Sequence, residues 1–480
     1  MVQNLAKKPR KVLFMAGPSQ DKSDRFFGWP TPLLYAISPT INSIKEGRLE
    51  LEYVPKLFEP IWYVEGLNSD KIKEEFMKQT QNVDIICTSV LYDSLYPTLQ
   101  LLAEIKKQNP TIVAIAGGPH FDGLGNSELI NPSHWEIIDF IVAGDGEYAL
   151  EALLQALSRN SFADFHPEEI SGKARIYSKG GDACRTSGEP IPLEHLPFIP
   201  IEMADVSRHK NDFDIFSDSS GILPTIQMIA QRGCPYHCTF CSERKGLTYP
   251  NARSVDNILQ EVELRKKQGF KAIFFDDSIF STYPNLNQLL PELGKTGMMF
   301  GSLNRFDMLG NKHILDLYWE AGFRYFYCSI EQFDDATLER MAKSQNVQQI
   351  SESMHLISRR GFTLGVSLLY GFPWETENSI NKTIDFTHEW ITNGPINLVS
   401  ESVLSYHPGT PLARNMNLDF NRTPPHQGFP FDRFEEGQWY HPQHVTADRL
   451  EKIYCLSFSK FREYLVRERH SWVERQGLLD

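Results

Sequence analysis

Short apolar runs rich in β-branched residues alternate along most of this chain with stretches whose apolar residues recur three and four positions apart. A chain patterned this way lays parallel strands side by side and returns across them with helices, so the fold class is α/β. The alternation comes in two blocks. In residues 1–157 the candidate strands are 11–17 (KVLFMAG), 49–55, 83–90 (VDIICTSV), 111–117 (TIVAIAG) and 138–143 (IDFIVA). Between the third and fourth, PTLQLLAEIKKQ at 97–108 carries one apolar face, and GDGEYALEALLQAL after the fifth turns into a second amphipathic helix. This block reads as a Rossmann-like domain, with a ligand expected at the carboxyl ends of its strands.

Residues 158–223 break the pattern. Gly180, Gly181, Gly188, Pro190, Pro192, Pro197 and Pro200 punctuate a polar stretch that reads as a linker with a small β element. From 224 to 415 the alternation resumes, with strands at 225–230, 272–275, 299–303, 325–330, 363–369 and 398–404 separated by segments such as SVDNILQEVELRKKQG and HILDLYWEAG. Six strand-helix units imply a partial (β/α)6 barrel, whose chemistry belongs at the carboxyl ends of its strands. Residues 416–480 read as a loop followed by a helical tail.

The 480 residues carry 48 Lys plus Arg against 61 Asp plus Glu, a net charge of -13 that disfavours wrapping a phosphate backbone, so no nucleic-acid partner is expected. The start is polar, with Lys7, Lys8, Arg10 and Lys11, and lacks a secretory h-region. No apolar run approaches the ~18–20 residues that span a bilayer. A cytoplasmic, reducing setting is expected, where cysteines serve as metal ligands or catalytic groups rather than disulfides. Four of the seven cysteines, Cys87, Cys184, Cys328 and Cys455, are scattered, whereas Cys234, Cys238 and Cys241 fall within eight residues directly after the first barrel strand.

Zinc would want four tetrahedral ligands, and neither a fourth cysteine nor a paired C-x-x-C lies nearby; His237 sits between two of the cysteines in a tight loop. Iron–sulfur clusters are commonly held by four thiolates, so three on a four-iron cluster leave one iron open to substrate. Cysteines that bind nothing would sit along a packed face, not converge on a loop. The C-x-x-x-C-x-F-C arrangement after the first strand resembles the cluster motif of the radical S-adenosylmethionine (SAM) superfamily. The resemblance implies that Cys234, Cys238 and Cys241 ligate a [4Fe-4S] cluster whose open iron chelates SAM, and that reductive cleavage yields a 5'-deoxyadenosyl radical. It also places Phe240 against the adenine.

The other strand ends are similar to that family in turn. Phe274-Phe275-Asp276-Asp277-x-x-Phe280 resembles an F-x-D-D-x-F segment, where Asp276 or Asp277 binds the SAM ammonium or caps a helix. Arg305, after the third strand, meets the SAM carboxylate or makes an ion pair. Cys328-Ser329-Ile330-Glu331 resembles G-[IV]-E-S, with Ser329 and Glu331 reaching the ribose and methionyl part; Ser329 and Gln332 stand where glycine and serine are usual. Gly371-Phe372-Pro373-Trp374-Glu375-Thr376 and His407-Pro408-Gly409-Thr410-Pro411 are similar to the family's pocket-shaping turns.

The first domain lacks G-x-G-x-x-G; the loop after its first strand is GPSQDKSDRFFGWPTP. It resembles the cobalamin-binding domain of one large radical SAM class through Trp29-Pro30-Thr31-Pro32-Leu33-Leu34 and the strand-end residues Thr88, Ser89, Gly117, Gly118, Gly144 and Gly146. Glycines there let backbone approach a bulky planar ring. The D-x-H-x-x-G axial-histidine motif is absent: Asp164-Phe165-His166 is the nearest approach, with Glu169 in the glycine position, and His120 is a lone histidine.

The resemblance implies a cobalamin-dependent methyltransferase acting on an unactivated carbon of a peptide, lipid or small metabolite, fed by an electron donor such as flavodoxin or ferredoxin. A radical cyclisation, rearrangement or epimerisation without methyl transfer stays open, with Cys328 or Cys455 as hydrogen donor or as a buried small hydrophobe. A non-catalytic corrinoid or iron–sulfur carrier would not need Asp276, Arg305 and Glu331 together. The tail residues Phe429, Phe431, Phe434, Trp439, Tyr440, His441 and His444 either close over the pocket or pack.

Overall fold

The computed structural model describes residues 11–17, 29–60, 69–91, 94–122, 132–162, 165–179, 183–209, 216–243, 250–404, 406–407, 409–416, 444–446, 449–450, 452–453, 456–457 and 461. Lys7, Lys8, Arg10, Asp164, Gly180, Gly181, Pro408, Cys455, the tail residues Phe429 to His441 and most of the expected helical tail lie outside them. Among the described residues no helix is long and apolar enough to cross a membrane.

The first sheet has seven strands: β1 (Lys11–Ala16), β2 (Glu52–Tyr53), β3 (Ile85–Ser89), β4 (Val113–Gly117), β5 (Phe140–Gly144), β6 (Ala174–Ser178) and β7 (Cys184–Arg185). Their order is β2-β1-β3-β4-β5-β6-β7. The five parallel strands therefore follow the 2-1-3-4-5 doubly wound arrangement, not the 3-2-1-4-5-6 order of the dinucleotide-binding Rossmann fold. Periodicity marks strands and crossovers but does not encode the order in which they are laid. Side chains alternate across β1: Val12 and Phe14 join one core, Leu13 and Met15 the other. Both faces are covered, which is why KVLFMA reads as a continuous apolar run.

The small β element expected within 158–223 is present, and it belongs to the first sheet. β6 pairs antiparallel with β5, and β7 with β6, so the first part of 158–223 extends the sheet. Edge strands added by hairpins need no crossover helix, and the sequence signal for them is accordingly short.

The hairpin β8 (Ser217–Asp218) and β9 (Gly221–Ile222) leads into the second sheet. That sheet contains β10 (Thr225–Met228), β13 (Ala272–Phe275), β14 (Met299–Asn304), β15 (Phe323–Glu331), β16 (Thr363–Tyr370) and β17 (Ile396–Val403), all parallel and in chain order. The short pair β11 (Gln231–Arg232) and β12 (Asn251–Ala252) lies apart from it. All six expected strands are present and the sheet does not close, as a partial barrel requires.

The two sheets meet along β10. The Trp29 indole N–H donates to the Thr225 carbonyl at 3.0 Å, Thr31 Oγ1 to Gln227 Oε1 at 3.3 Å, and the Ile229 N–H to Tyr35 Oη at 3.4 Å. The segment WPTPLLY thus docks the first sheet on the first barrel strand. One apolar core runs through the joint, from Val12 and Phe14 to Ile226 and Met228.

Candidate active site

After β10 the chain turns sharply, and Asp277, just past the end of β13, holds the turn. Its carboxylate accepts the Ala230 N–H at 3.0 and 3.2 Å and also the Gln231 N–H. Asp277 is 1% exposed, and burial pushes its carboxyl up to about 7 although two amides and Arg253 pull it down. The cysteine loop then runs over the barrel mouth. The Thr239 N–H donates to the Met341 carbonyl at 2.9 Å, and the Leu412 N–H to the Thr239 carbonyl at 2.9 Å, so the loop is pinned at its centre from both sides. Leu412 belongs to the short helix Pro411–Asn415 capped by Thr410, and this helix straps the cysteine loop.

Cys234, Cys238 and Cys241 are all half-buried on this loop. Burial raises the Cys234 thiol, and burial raises Cys241 to about 11; Cys238 acts electrostatically on both, so the three sulfurs share one neighbourhood. The Glu243 N–H points at Cys241 Sγ at 3.4 Å, a contact that favours a thiolate. Among the described residues no three His, Cys, Asp or Glu side chains gather around a single metal ion. A cluster spreads its thiolates over separate irons and does not demand such gathering.

Across the mouth, Phe240 packs edge-on against Phe372 with centroids 5.5 Å apart, and the Lys343 ammonium lies 5.9 Å from its ring centre. Lys343 Nζ pairs with Glu331 Oε1 at 2.9 Å, and Ser367 Oγ reaches Glu331 Oε2 at 3.5 Å. Arg305 does not point freely into the mouth. Its guanidinium pairs with Asp307 at 2.9 Å, donates to the Lys343 and Ser344 carbonyls, and lies 3.7 Å from the Tyr236 ring centre. It therefore supports both the cysteine loop, through Tyr236, and the Lys343 segment. Ser329 is half-buried on β15, in register with Ser367 and, through it, Ser400.

Backbone strain singles out the same place. Among the described residues five that are not glycine have positive φ: Asn82 and Asn160, a type that tolerates it, and Glu331 (59°), Ala342 (53°) and Ser344 (57°). The last three hold the buried Lys343–Glu331 pair. Such strain persists only where surroundings impose it, and it concentrates at working sites.

A cavity of about 510 Å³ opens between the sheets. From the first sheet it is lined by Thr88, Ser89, Gly117, Gly118, Gly144 and Gly146, the six residues proposed to hold the second cofactor, together with Cys87, Thr31 and Pro32. From the barrel it is lined by Arg232, Ser242, Glu243, Asp276, Ser278 and Leu303. Asp276 lines it and Asp277 does not: the two acids divide, one facing the cavity and one bracing the loop. Burial, then the neighbouring Glu243, raises Asp276 to about 7. Burial likewise raises Glu243, which accepts a hydrogen bond from Ser278. No histidine among the described residues lines the cavity; His120 is buried in the turn after β4, and His166 is exposed beside Glu168.

The glycines serve two different purposes. Gly118 has φ +97°, and a Cβ there would sit 2.7 Å from Ser89 Oγ and from Val90 N, so the turn itself requires glycine. Gly146 meets nothing nearer than Val142 Cγ1 at 3.7 Å, so its missing side chain leaves space in the cavity. The scattered cysteines also sort themselves: Cys87 lines the cavity, Cys184 lies half-buried on β7, and Cys328 is fully buried in the apolar core, away from the cavity. Sequence reasoning missed Lys343, Arg232 and Glu243, and it met Glu147 only as the end of the Gly144-Asp145-Gly146-Glu147 piece that resembles the cobalamin-binding domain, without a role of its own. A lysine amid MAKSQN and a glutamate inside a glycine-rich turn carry no periodic signal, because what marks them is burial.

Residues 228–387 match the family model of the Radical SAM superfamily. The barrel is a radical SAM domain. The chain is therefore an enzyme that carries this domain in its barrel. It is 25% identical over 335 residues to the anaerobic magnesium-protoporphyrin IX monomethyl ester cyclase of Rubrivivax gelatinosus, covering 68% of this chain and 57% of the relative. It is 24% identical over 346 residues to the hopanoid C-3 methylase of Methylococcus capsulatus, covering 70% of this chain and 62% of the relative. The chain thus spans less than two thirds of either relative's length. The fold is similar to that of the radical SAM methyltransferase TsrM from Kitasatospora setae, solved with cobalamin and a [4Fe-4S] cluster, with a TM-score of 0.60 and 16% identity over 85% of this chain and 78% of that one.

Proposed function

We propose that this radical SAM enzyme holds its cluster on Cys234, Cys238 and Cys241, binds SAM between the cysteine loop and β15, and binds cobalamin in the intersheet cavity to methylate an unactivated carbon. The observation that carries the second cofactor is the cavity itself: one space is walled by the strand ends of the first sheet and by the mouth of the radical SAM domain. The lining suits a ligand rich in amide groups. Thr88 Oγ1, Gln231 Oε1 and Glu147 Oε2 are buried polar atoms of lining residues without a hydrogen-bond partner, and Gly146 leaves room beside them.

When bound, an iron–sulfur cluster with one open iron supplies the electron that cleaves SAM, and a corrin supplies a transferable methyl group. The chain's own residues do the rest. Phe240 offers an apolar face beside the cysteines. Lys343, paired with Glu331 and lying beside Phe240, presents the buried cation nearest that ring, whereas Arg305 is engaged by Asp307 and two carbonyls at once. Glu331 orients Lys343 and accepts donors from the ribose or ammonium of SAM. The interior serines of β15, β16 and β17 add neutral hydrogen-bonding groups. Holding the reactants across one shared space is worth much of the barrier in itself. The substrate class is a peptide, lipid or small metabolite, and the electron comes from a flavodoxin or ferredoxin type of donor.

Anaerobic reconstitution is expected to give about four irons per chain and to show uptake of hydroxocobalamin, with both 5'-deoxyadenosine and S-adenosylhomocysteine formed on turnover. Cys234→Ala is expected to lose the cluster and SAM cleavage. An intact cluster in that variant, or absence of corrin uptake by the wild type, refutes the corresponding half of the proposal. A radical cyclisation is the second reading, favoured by the likeness to the cyclase, and it predicts turnover without S-adenosylhomocysteine.

A further inference from the structure

The cysteine loop is rooted at Arg232, two residues before Cys234, and Arg232 is gripped by the first sheet. Its Nη1 pairs with Glu147 Oε1 at 2.5 Å, and its guanidinium carbon lies 5.7 Å from the centre of the Tyr35 ring. Glu147 is the second residue of the helix Gly146–Arg159 and is 3% exposed, while Tyr35, on the helix Thr31–Lys45, is 4% exposed. Both grips come from helices of the first sheet, and the residue they hold belongs to the radical SAM domain.

A buried ion pair is poor evidence for stability, because two charges lose their hydration to make it. Its geometric use is better attested: a guanidinium fixed by a carboxylate and a ring has one orientation. Arg232 and Glu147 both line the cavity, so the pair forms part of the wall that separates the cysteine loop from the strand ends Thr88, Ser89, Gly117 and Gly118. The next residues inward are pinned separately, Gln231 by Asp277 and by Ile279 and Thr282. The loop therefore has two roots, one in its own barrel and one across the joint.

We propose that Arg232 is a positioning residue: held by Glu147 and Tyr35, it sets the distance between the cluster on the cysteine loop and the ligand in the intersheet cavity. The inference rests on the cofactor assignment above but concerns geometry, not occupancy. It requires that the two cofactors sit at one fixed separation and that loosening the cross-joint grip widens the distribution without emptying either site.

The measurement is the magnetic interaction between the reduced cluster and cob(II)alamin in the doubly loaded protein, read by electron paramagnetic resonance. Wild type is expected to give one sharp interaction. Glu147→Gln, which keeps the shape but removes the charge, is expected to retain iron and, once loaded to the same corrin occupancy by raising hydroxocobalamin, to show the interaction broadened or weakened by about twofold or more. Arg232→Lys, which keeps the charge but loses the planar fork, is expected to fall between the two. An unchanged interaction in both Glu147→Gln and Arg232→Lys overturns the proposal. If Glu147→Gln fails to fold, the comparison of Arg232→Lys with wild type decides it alone. Failure of wild-type protein to take up corrin refutes the cavity assignment instead, so the two failures are distinguishable.

Discussion

Asp277 offers a sharp test of how the cysteine loop is held, because its substitution sets two large effects against each other. Its carboxyl is raised from 3.8 to about 7, chiefly by burial. A rise of that size corresponds to about 4 kcal/mol by which the folded protein resists the ionised form. The folded value lies above the unfolded one, so the native state binds the proton more tightly. Stability therefore falls as pH rises from about 4 to about 7, and levels off above. Against this stand the two buried amides of Ala230 and Gln231, each of which costs about 1–3 kcal/mol if left without an acceptor. Asp277→Asn removes the charge and keeps one acceptor. It is expected to be more stable than wild type by about 1–3 kcal/mol at pH 8 and to lose that advantage at pH 5. Asp277→Ala orphans both amides, about 2–6 kcal/mol, which nearly cancels the relieved charge at pH 8 but is fully exposed at pH 5. Denaturant unfolding of the metal-free protein at the two pH values reads these differences, and iron per chain after anaerobic reconstitution reads the loop. The alanine variant is expected to hold clearly less iron at pH 8 despite near-native stability. A stability gap that is the same at both pH values, or full iron content in the alanine variant, would refute the reasoning.

Two further substitutions separate turn geometry from ligand space. Gly118→Ala forces a side chain onto φ +97° and into Ser89 and Val90, and thermal unfolding is expected to show a loss of about 2–4 kcal/mol. Gly146→Ala meets no atom closer than 3.7 Å, so stability is expected to hold while corrin affinity falls; equal corrin binding in the variant would place the ligand elsewhere. Lys343→Met leaves the Glu331 carboxylate buried without its cation and is expected to cost about 3–5 kcal/mol. Adding Glu331→Gln is expected to restore most of that stability but not SAM binding, and recovery of both would remove Lys343 from the site.

Much of the architecture was legible because it is local. The strands of both sheets are continuous apolar runs between turn residues, and periodicity finds such runs wherever both faces are buried. The cysteine triad was legible because its spacing is sequential. The partners of the triad were not. Asp276 and Asp277 are adjacent and chemically identical, yet one faces the cavity and the other braces a turn, since successive residues leaving a strand point to opposite sides. Arg305 and Lys343 are both cations, and only packing shows that the first is engaged by Asp307 and backbone carbonyls while the second sits beside Phe240.

By itself the sequence determined the α/β class, the two blocks of parallel strands and the cluster of three cysteines after β10, because each is written in residues close together along the chain. Only the tertiary structure decided the 2-1-3-4-5 order of the first sheet, the docking of WPTPLLY on β10, and the joint where Glu147 meets Arg232. Those features depend on contacts between residues far apart in the chain, such as the 196 positions separating Trp29 from Thr225. Burial and approach, which no periodicity records, select them.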